Sequence, residues 1–230
     1  MNNSLCNAEL VEVTKIFSRS GKETVALDDV SFQVNPGELV LLLGPSGSGK
    51  TTLLTLLAGL QEPTKGEAYI FGKQVNDYSS VTLQKIRASR VGFIFQNFCL
   101  LDSLDVMDNV LLVMQFAGIP KTSARKRAAE LLEKLGVSHL MHAYPRTLSQ
   151  GEKQRVAVAR AIANEAQLII ADEPTGSLST QQGMMIVEFL QKGVREDGLS
   201  VVIASHDERI IKFADRVLHM ADGRLLEQPE

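Results

Sequence analysis

The stretch Gly44-Pro45-Ser46-Gly47-Ser48-Gly49-Lys50-Thr51 decides the fold of this chain. It fits the pattern GxxxxGK[ST] of a loop that cradles phosphate groups. The apolar run before it, LVLLL at residues 39–43, predicts a buried parallel strand, and the segment from Lys50 onward predicts a helix that ends at Gly59. The glycines therefore fall where a strand turns into a helix, which is the setting that phosphate binding requires.

The residue types of this loop match its chemistry. Without side chains at Gly44, Gly47 and Gly49, the backbone can wrap around a phosphate and point several N–H groups and the positive end of the following helix at it. Lys50 adds a point charge, and Thr51 offers a hydroxyl to Mg²⁺. An ordinary Gly/Ser-rich turn is the alternative, and the flanking strand and helix disfavour it.

Composition bounds the class of protein. The 230 residues, of which 44% are hydrophobic and 22% charged, can bury a substantial core. A formal net charge of −3 does not favour a nucleic-acid partner. The sequence has no apolar run of membrane-spanning length and no secretory signal, so we expect the chain in the cytoplasm. Cys6 and Cys99 lie far apart and predict neither a disulfide framework nor a zinc site.

Hydrophobic periodicity gives the order of elements. Two strands joined by a polar turn open the chain, helices dominate the middle, and an α/β pattern returns at the end. The predicted strands are at residues 9–17, 25–34, 39–43, 67–71, 91–95, 168–171, 201–204, 217–220 and 224–226, and the predicted helices are at 50–59, 106–117, 122–135, from 149 onward, and 180–195.

Two carboxylates, Asp172 and Glu173, follow the apolar strand LIIA at residues 168–171. The ends of strands are where α/β sheets place their chemistry. Asp172 is suited to hold Mg²⁺, and Glu173 to orient or deprotonate the water that attacks a γ-phosphate. Alone, this pair fits a solvated loop equally well, and the phosphate loop elsewhere in the chain favours the functional interpretation.

A capping box, Ser149 with Glu152 three residues later, predicts a helix that begins at Ser149 with its positive end exposed. A simple helix cap is the plain interpretation. Gly151, however, allows a phosphate to approach the same helix start, which would give one chain two anion sites. Two sites for one nucleotide indicate a dimer.

With these residues in place, the chain resembles, from end to end, the nucleotide-binding subunit of an ATP-binding-cassette (ABC) transporter. The resemblance rests on GPSGSGKT as Walker A, LSQGE as the family signature and LIIADE as Walker B. Gln96 takes the place of the Q-loop glutamine, His206 that of the switch histidine, and Phe17 that of the ring that stacks on adenine. Each of these three fits a structural role as well, and their order and spacing favour the functional one.

The resemblance implies an α/β fold, with a P-loop NTPase core, an antiparallel β arm and an inserted α-helical subdomain. It implies one domain over residues 1–230. Residues 1–96 and about 161–230 would form the RecA-like core with the β arm, and residues from about 97 to 160 the helical subdomain.

The resemblance also implies a head-to-tail dimer, in which Walker A of one chain and the signature of the other enclose each ATP. The implied catalytic residues are Glu173, His206, Lys50 and Gln96, and the implied Mg²⁺ ligands are Thr51, Gln96 and Asp172. The implied ATP contacts are Phe17, Gly44, Pro45, Ser46, Gly47, Ser48, Gly49, Lys50, Thr51 and Thr52. The implied contacts to the partner's ATP are Ser149, Gln150, Gly151 and Glu152.

Further details resemble the subgroup of lipoprotein-releasing, macrolide-exporting and cell-division ATPases. They are VGFIFQNFCLL at residues 91–101, Asp108-Asn109-Val110, and DEPTG at residues 172–176. This resemblance implies an ATPase at the inner face of the cell membrane that drives a separate permease, as an exporter or a force-transmitting system. An importer ATPase and a regulator that moves no solute are the alternatives.

Two departures from the family pattern stand out. The signature has Gln150 and Glu152 where LSGGQ is common, and Glu152 keeps the capping chemistry. Ser179 stands where the family's D-loop usually has Asp, and we expect weaker coupling between the two sites with hydrolysis retained. Residues 97–105 are a candidate docking surface for the permease, although Phe98, Leu100 and Leu101 fit the core of the helical lobe equally well.

Overall fold

The computed structural model describes residues 6–19 and 21–226. The strands in this part of the chain are β1 (Ala8–Arg19), β2 (Lys22–Val34), β3 (Leu39–Leu43), β4 (Lys65–Ile70), β5 (Lys73–Gln74), β6 (Val91–Ile94), β7 (Leu168–Asp172), β8 (Ser200–Ser205), β9 (Arg216–Ala221) and β10 (Arg224–Leu226). The α-helices are α1 (Lys50–Leu57), α2 (Ser80–Arg90), α3 (Val106–Phe116), α4 (Lys121–Lys134), α5 (Gln150–Ala163) and α6 (Thr180–Asp197).

The central sheet has the strand order β10-β9-β3-β8-β7-β6. Strands β9, β3, β8, β7 and β6 are parallel, and β10 adds an antiparallel edge. All five residues of β3 are buried. A strand that is covered on both faces is apolar throughout, which is why LVLLL predicts it without alternation.

The two faces of this sheet are covered differently. Leu39, Leu41 and Leu43 pack into a core shared with α3, α4, α5 and α6. The alternate residues Val40 and Leu42 pack into a second core with α1 and the β arm. The period of two along β3 thus divides one apolar strand between two cores.

The β arm is a second sheet of order β2-β1-β4-β5, antiparallel throughout. The predicted pair of opening strands is confirmed, but the strands are longer than expected. The polar stretch from 18 to 23 was expected to be turn, whereas Ser18 pairs with Glu23 and Arg19 with Lys22. Polar residues continue the ladder here because exposed strand ends need no apolar face.

Helices α3, α4 and α5 fall between β6 and β7 in the chain, as the sequence predicts. Helix α2 was not predicted. None of its residues is fully buried, and only Leu83 and Ile86 pack against the second core, as half-buried side chains, so its periodic apolar signal is weak. Its detectable mark is the cap at Ser79, whose hydroxyl accepts a hydrogen bond from the Thr82 N–H. The fold is the predicted P-loop core with an antiparallel arm and inserted helices.

Candidate functional site

The glycines of the phosphate loop serve different ends. A Cβ at Gly44 would lie 2.2 Å from the Met220 carbonyl oxygen, and one at Gly49 would lie 2.4 Å from that of Ala26. Gly49 also has φ +104°, a backbone conformation that residues with a side chain rarely adopt. At Gly47, with φ +82°, the space for a Cβ is open. The loop's seating against β2 and β9 therefore requires Gly44 and Gly49, and Gly47 is the glycine that leaves room above the loop.

Lys50 begins helix α1 and is only 6% exposed. Its Nζ donates hydrogen bonds to the carbonyl oxygens of Gly44 at 2.7 Å and Pro45 at 2.9 Å. The ammonium is thus held by the loop itself, at the place where the sequence predicts a phosphate. The remaining predicted loop contacts are placed as follows: Pro45, Ser46 and Gly47 are exposed, Ser48 is buried, Thr51 is exposed and Thr52 is half-buried.

The structure brings Thr51 and Asp172 together from positions far apart in sequence. The Thr51 hydroxyl donates to Asp172 Oδ2 at 2.7 Å. Burial raises the pKa of Asp172, and the hydrogen bond from Thr51 and the charge of Lys50 partly oppose this shift. A hydroxyl beside a carboxylate is an oxygen donor set of the kind that Mg²⁺ prefers.

No cluster of three or more His, Cys, Asp or Glu side chains suited to a metal occurs within residues 6–19 and 21–226. Mg²⁺ is usually bound by one or two protein groups together with substrate phosphates and water. Thr51 and Asp172 are therefore a chemically adequate partial site for Mg²⁺ accompanied by a nucleotide.

Glu173 follows directly after β7 and lies against the end of β8. Its N–H donates to the Ala204 carbonyl at 2.9 Å, and its φ of 48° is uncommon for a residue with a side chain. His206 Nδ1 lies 3.1 Å from Oε1 and 3.0 Å from Oε2 of the Glu173 carboxylate. The side chain of Glu173 is 11% exposed and that of His206 66% exposed, so the pair is buried on one side and open on the other.

Ser205 is a functional candidate that the sequence analysis missed. Its hydroxyl is 3.5 Å from Glu173 Oε2 and can donate to it, and it accepts a hydrogen bond from the Asp207 N–H at 3.0 Å. The available signal was its position, since it ends the apolar strand VVIAS directly before His206. The hydroxyl and the imidazole together fix the carboxylate of Glu173.

Gln96 and Phe17 lie apart from these contacts. Gln96 is exposed in the turn after β6, and the pairing of Ile94 with Ala171 puts this turn at the same sheet edge as Asp172. Phe17 lies on β1 in the other sheet, 41% exposed, with Lys15 Nζ 5.3 Å from the centre of its ring. Its exposed face is available for stacking.

The predicted capping box at the start of α5 is confirmed. The Glu152 N–H donates to Ser149 Oγ at 3.4 Å, and the Ser149 N–H donates to Glu152 Oε2 at 2.7 Å. Ser149 and Gln150 are exposed. Gly151 is buried because the Gln182 side chain covers it, and a Cβ at Gly151 would lie 2.8 Å from Gln182 Nε2. The signature therefore packs against helix α6 of its own chain and opens outward at Ser149.

Ser179 is the N-cap of α6, and its hydroxyl accepts a hydrogen bond from the Gln182 N–H at 3.4 Å. Serine at this position thus has a local structural role. Aspartate caps helices as well as serine does, so the cap alone does not distinguish the two residues.

Fold and site geometry together agree with one family. The sequence profile of the ABC transporter family matches residues 27–176. An uncharacterized ABC transporter ATP-binding protein of Methanocaldococcus jannaschii is 40% identical over 219 residues, which are 95% of this chain and 97% of that protein. The chain belongs to the ABC transporter family, as an ATP-binding subunit with ATPase chemistry.

Two other relatives carry names with more specific functions. A putative hemin import ATP-binding protein of Staphylococcus haemolyticus is 38% identical over 94% of this chain and 98% of its own length. A macrolide export ATP-binding/permease protein of Hyphomonas neptunium is 38% identical over 95% of this chain, which spans 34% of that longer protein.

Solved structures give the same result. The dimeric structure of MJ0796, a bacterial ABC transporter cassette, has a TM-score of 0.91 at 37% identity, over 97% of this chain and 98% of that one. A dimeric post-hydrolysis state of the same cassette with ADP and Pi also has a TM-score of 0.91, at 36% identity over the same coverage. Within the described residues, no helix is long and apolar enough to span a membrane.

Proposed function

We propose that this chain binds ATP between two copies arranged head to tail and uses its hydrolysis to drive a separate membrane permease. The observation that carries the proposal is the convergence of the phosphate loop and the Walker B carboxylates, with Thr51 Oγ1 2.7 Å from Asp172 Oδ2. Thr51 and Asp172 meet although they are 121 positions apart in sequence. If residues 172–173 were only a solvated loop, this contact would not be needed.

In this proposal the phosphates of ATP bind over Gly47, where the loop is open, and the Lys50 ammonium turns from the Gly44 and Pro45 carbonyls to the β- and γ-phosphates. Mg²⁺ would neutralise developing charge on the phosphate oxygens. Thr51, Asp172 and Gln96 would hold it. Phe17 would stack on adenine through its exposed ring.

Hydrolysis is assigned to the pair Glu173 and His206. The Glu173 carboxylate accepts hydrogen bonds from Ser205 and His206 on one side and can accept one from water on its open side. A carboxylate held in this way can orient the attacking water and take up its proton. His206, 66% exposed, is placed to follow that proton or to contact the γ-phosphate.

The signature would complete the site of a second copy. Ser149 and Gln150 are exposed at the positive end of α5, where N–H groups point at anions. The capping box joins Ser149 and Glu152 within one turn and so orders this helix end in advance. A partner's γ-phosphate would therefore bind to a helix end that is already ordered. Two dimeric structures of one relative, the MJ0796 cassette, at 37% and 36% identity, support a dimer.

We assign residues from about 97 to 160 to a helical subdomain, and residues 1–96 and about 161–230 to the core with the arm. We place the chain at the cytoplasmic face of the membrane, bound through its permease. Of residues 97–105, Cys99 is exposed and Leu101 is 45% exposed, whereas Leu100 packs against the core. The docking surface proposed for the permease is therefore centred on Leu101.

An exporter or force-transmitting system is our preferred role, supported by the macrolide-export relative. The hemin-import relative keeps an importer as the second candidate. A regulator that moves no solute is the third, because nothing in the ATPase site distinguishes it from a transporter.

Affinity capture from mildly solubilised membranes tests these roles, with a Glu173→Gln variant and Mg-ATP used to hold the dimer closed. Recovery of a permease with a large extracytoplasmic domain would support export or force transmission. A multi-span permease with a solute-binding protein would support import. Capture of no membrane protein would overturn the transport role and leave the ATPase.

A further inference from the structure

The turn after Gln96 is strained. The Phe98 N–H donates to the Phe95 carbonyl at 3.0 Å, and the Cys99 N–H to the Asn97 carbonyl at 2.5 Å, which closes two tight turns in succession. Phe98 has φ 59° and Cys99 has φ 50°. Consecutive residues with side chains in the left-handed region carry a conformational cost and persist only where surrounding contacts hold them.

The group that holds this turn is Arg160, on α5. Its Nη2 donates to the Phe98 carbonyl at 2.6 Å and its Nη1 to the Cys99 carbonyl. Burial lowers the pKa of Arg160. Among the described residues no carboxylate forms an ion pair with it, so these two carbonyl dipoles are its main compensation. Both carbonyls belong to the two residues that lie in the left-handed region.

We propose that Arg160 is a positioning residue that sets the conformation of the Gln96 loop by clamping the strained turn to helix α5. The same helix begins at the signature, about 15 Å away along its axis. The clamp therefore joins the loop of one predicted ATP site to the helix end that serves the other. What Gln96 does for Mg-ATP rests on the proposed function, whereas the clamp itself rests on the contacts of Arg160.

Arg127 provides a matched control. Like Arg160, it donates to two consecutive main-chain carbonyls: its Nε to Ala163 at 2.7 Å and its Nη2 to Ile162 at 3.1 Å. It links α4 to the far end of α5 and does not contact the Gln96 loop. Unlike Arg160, it also has an exposed ion pair, with Glu165 Oε1 3.8 Å from its Nη1. Arg127→Lys therefore changes the same kind of carbonyl contact without releasing the strained turn.

The first measurement is the mobility of a nitroxide on Cys99 by electron paramagnetic resonance. Cys99 is exposed and Cys6 is buried, so the native chain should label at Cys99, and a Cys99→Ser variant checks this. Arg160→Lys keeps the charge but replaces the planar guanidinium, whose Nη1 and Nη2 reach the two carbonyls separately, by a single ammonium in a different position. We expect a new fast-motion component in Arg160→Lys and none in Arg127→Lys. Thermal unfolding checks that both variants are folded. Equal spectra for the two folded variants would overturn the clamp.

The second measurement is the Mg²⁺ concentration for half-maximal ATPase activity, beside the KM for ATP. Displacing a group that orients a metal ligand typically weakens metal binding roughly tenfold or more. In Arg160→Lys we expect the half-maximal Mg²⁺ concentration to rise by about this factor, with little change in the KM for ATP. In Arg127→Lys we expect neither quantity to change. A purely structural role would lower activity without moving the Mg²⁺ requirement.

Gln96→Ala tests the metal role of Gln96 separately from the clamp by Arg160. If it raises the Mg²⁺ requirement as Arg160→Lys does, Arg160 acts through Gln96, as proposed. If it leaves that requirement unchanged, the metal role assigned to Gln96 under the proposed function fails, and the nitroxide result alone decides the clamp.

Discussion

The phosphate loop and the signature turn are both candidate anion sites at the start of a helix, yet they are held in different ways. The loop is fixed by tertiary contacts: Gly44 and Gly49 pack closely against other strands, and the Thr51 hydroxyl is hydrogen-bonded to Asp172. The signature turn is fixed mainly within itself, by reciprocal hydrogen bonds between Ser149 and Glu152, and its tertiary contact is that of Gly151 with Gln182 on α6.

This difference shows what each site needs. The phosphate loop is ordered by its own chain and can receive a nucleotide without a partner. The signature turn has an ordered, outward-facing helix end, and the ligand proposed for it would come from outside the chain. In the proposed head-to-tail dimer, the nucleotide on one copy would meet the signature of the other.

Replacing Glu173 by Gln should give the largest effect, because it disables the loop-side site chemically and leaves its geometry intact. Gln keeps an oxygen for the Ser205 hydroxyl but cannot take up a proton. We expect kcat to fall by at least about 100-fold, with ATP affinity retained. Single-turnover assays and equilibrium nucleotide binding check this. Turnover within a few-fold of wild type would remove Glu173 from the hydrolytic step.

Substitutions at Ser149 should separate the cap from the role across the dimer. Ser149→Ala removes the cap and should cost about 1 kcal/mol of stability, whereas Ser149→Asn keeps a capping side chain and should cost little. Both should weaken ATP-induced dimerisation, by roughly tenfold, because the hydroxyl that faces the partner is lost. Thermal unfolding and sedimentation velocity with ATP distinguish the two effects. An Asn variant with wild-type dimerisation would reduce Ser149 to a cap.

The capping box should also make stability depend on pH. Hydrogen bonds from the Ser149 hydroxyl and N–H lower the pKa of Glu152. The folded state therefore favours the carboxylate, and this stabilisation is present above the ordinary Glu pKa of about 4.3 and is lost as pH falls through the lowered value. Glu152→Gln should lower Tm by a few degrees at most at pH 7, with the difference shrinking toward pH 3.

Glu188→Gln, at an exposed position on α6, is the control for this measurement. It should leave the pH dependence of Tm as in wild type. A Glu152→Gln variant whose Tm differs from wild type by the same amount at every pH would contradict the assignment.

Ser179→Asp should have the smallest effect on the fold. Asp preserves the cap on α6, so stability should stay within about 0.5 kcal/mol of wild type. The added charge should strengthen coupling between the two sites, seen as a higher Hill coefficient for ATP and a changed stimulation by the permease. If neither quantity changes, serine at this position does not weaken coupling.

Much of the fold could be predicted because local pattern and tertiary role coincide. LVLLL forms β3 at the predicted residues, and α4 starts one residue before its predicted start at Thr122. Helix α2 was missed because its apolar stripe is short, with only Leu83 and Ile86 packed against the core. The arm's turn was predicted too long because polar residues at strand ends resemble a turn.

In the candidate site, too, local contacts could be predicted and contacts between distant residues could not. The capping box at Ser149 was predictable because both partners lie within four residues. The hydroxyl of Ser205 against Glu173 was not, because strands β7 and β8 bring the two together only in the sheet. The hold of Arg160 on the turn at Phe98 is of the same kind, 62 residues apart in sequence.

The sequence by itself determined the phosphate loop and the capped signature helix, because each is specified by residue type at short spacing, and through these motifs it indicated the class of the protein. Only the tertiary structure decided which glycines the loop's seating requires, how Glu173 is held and what clamps the turn after Gln96. Those depend on contacts between distant residues, and such contacts follow from strand register and packing, which short-range patterns do not specify.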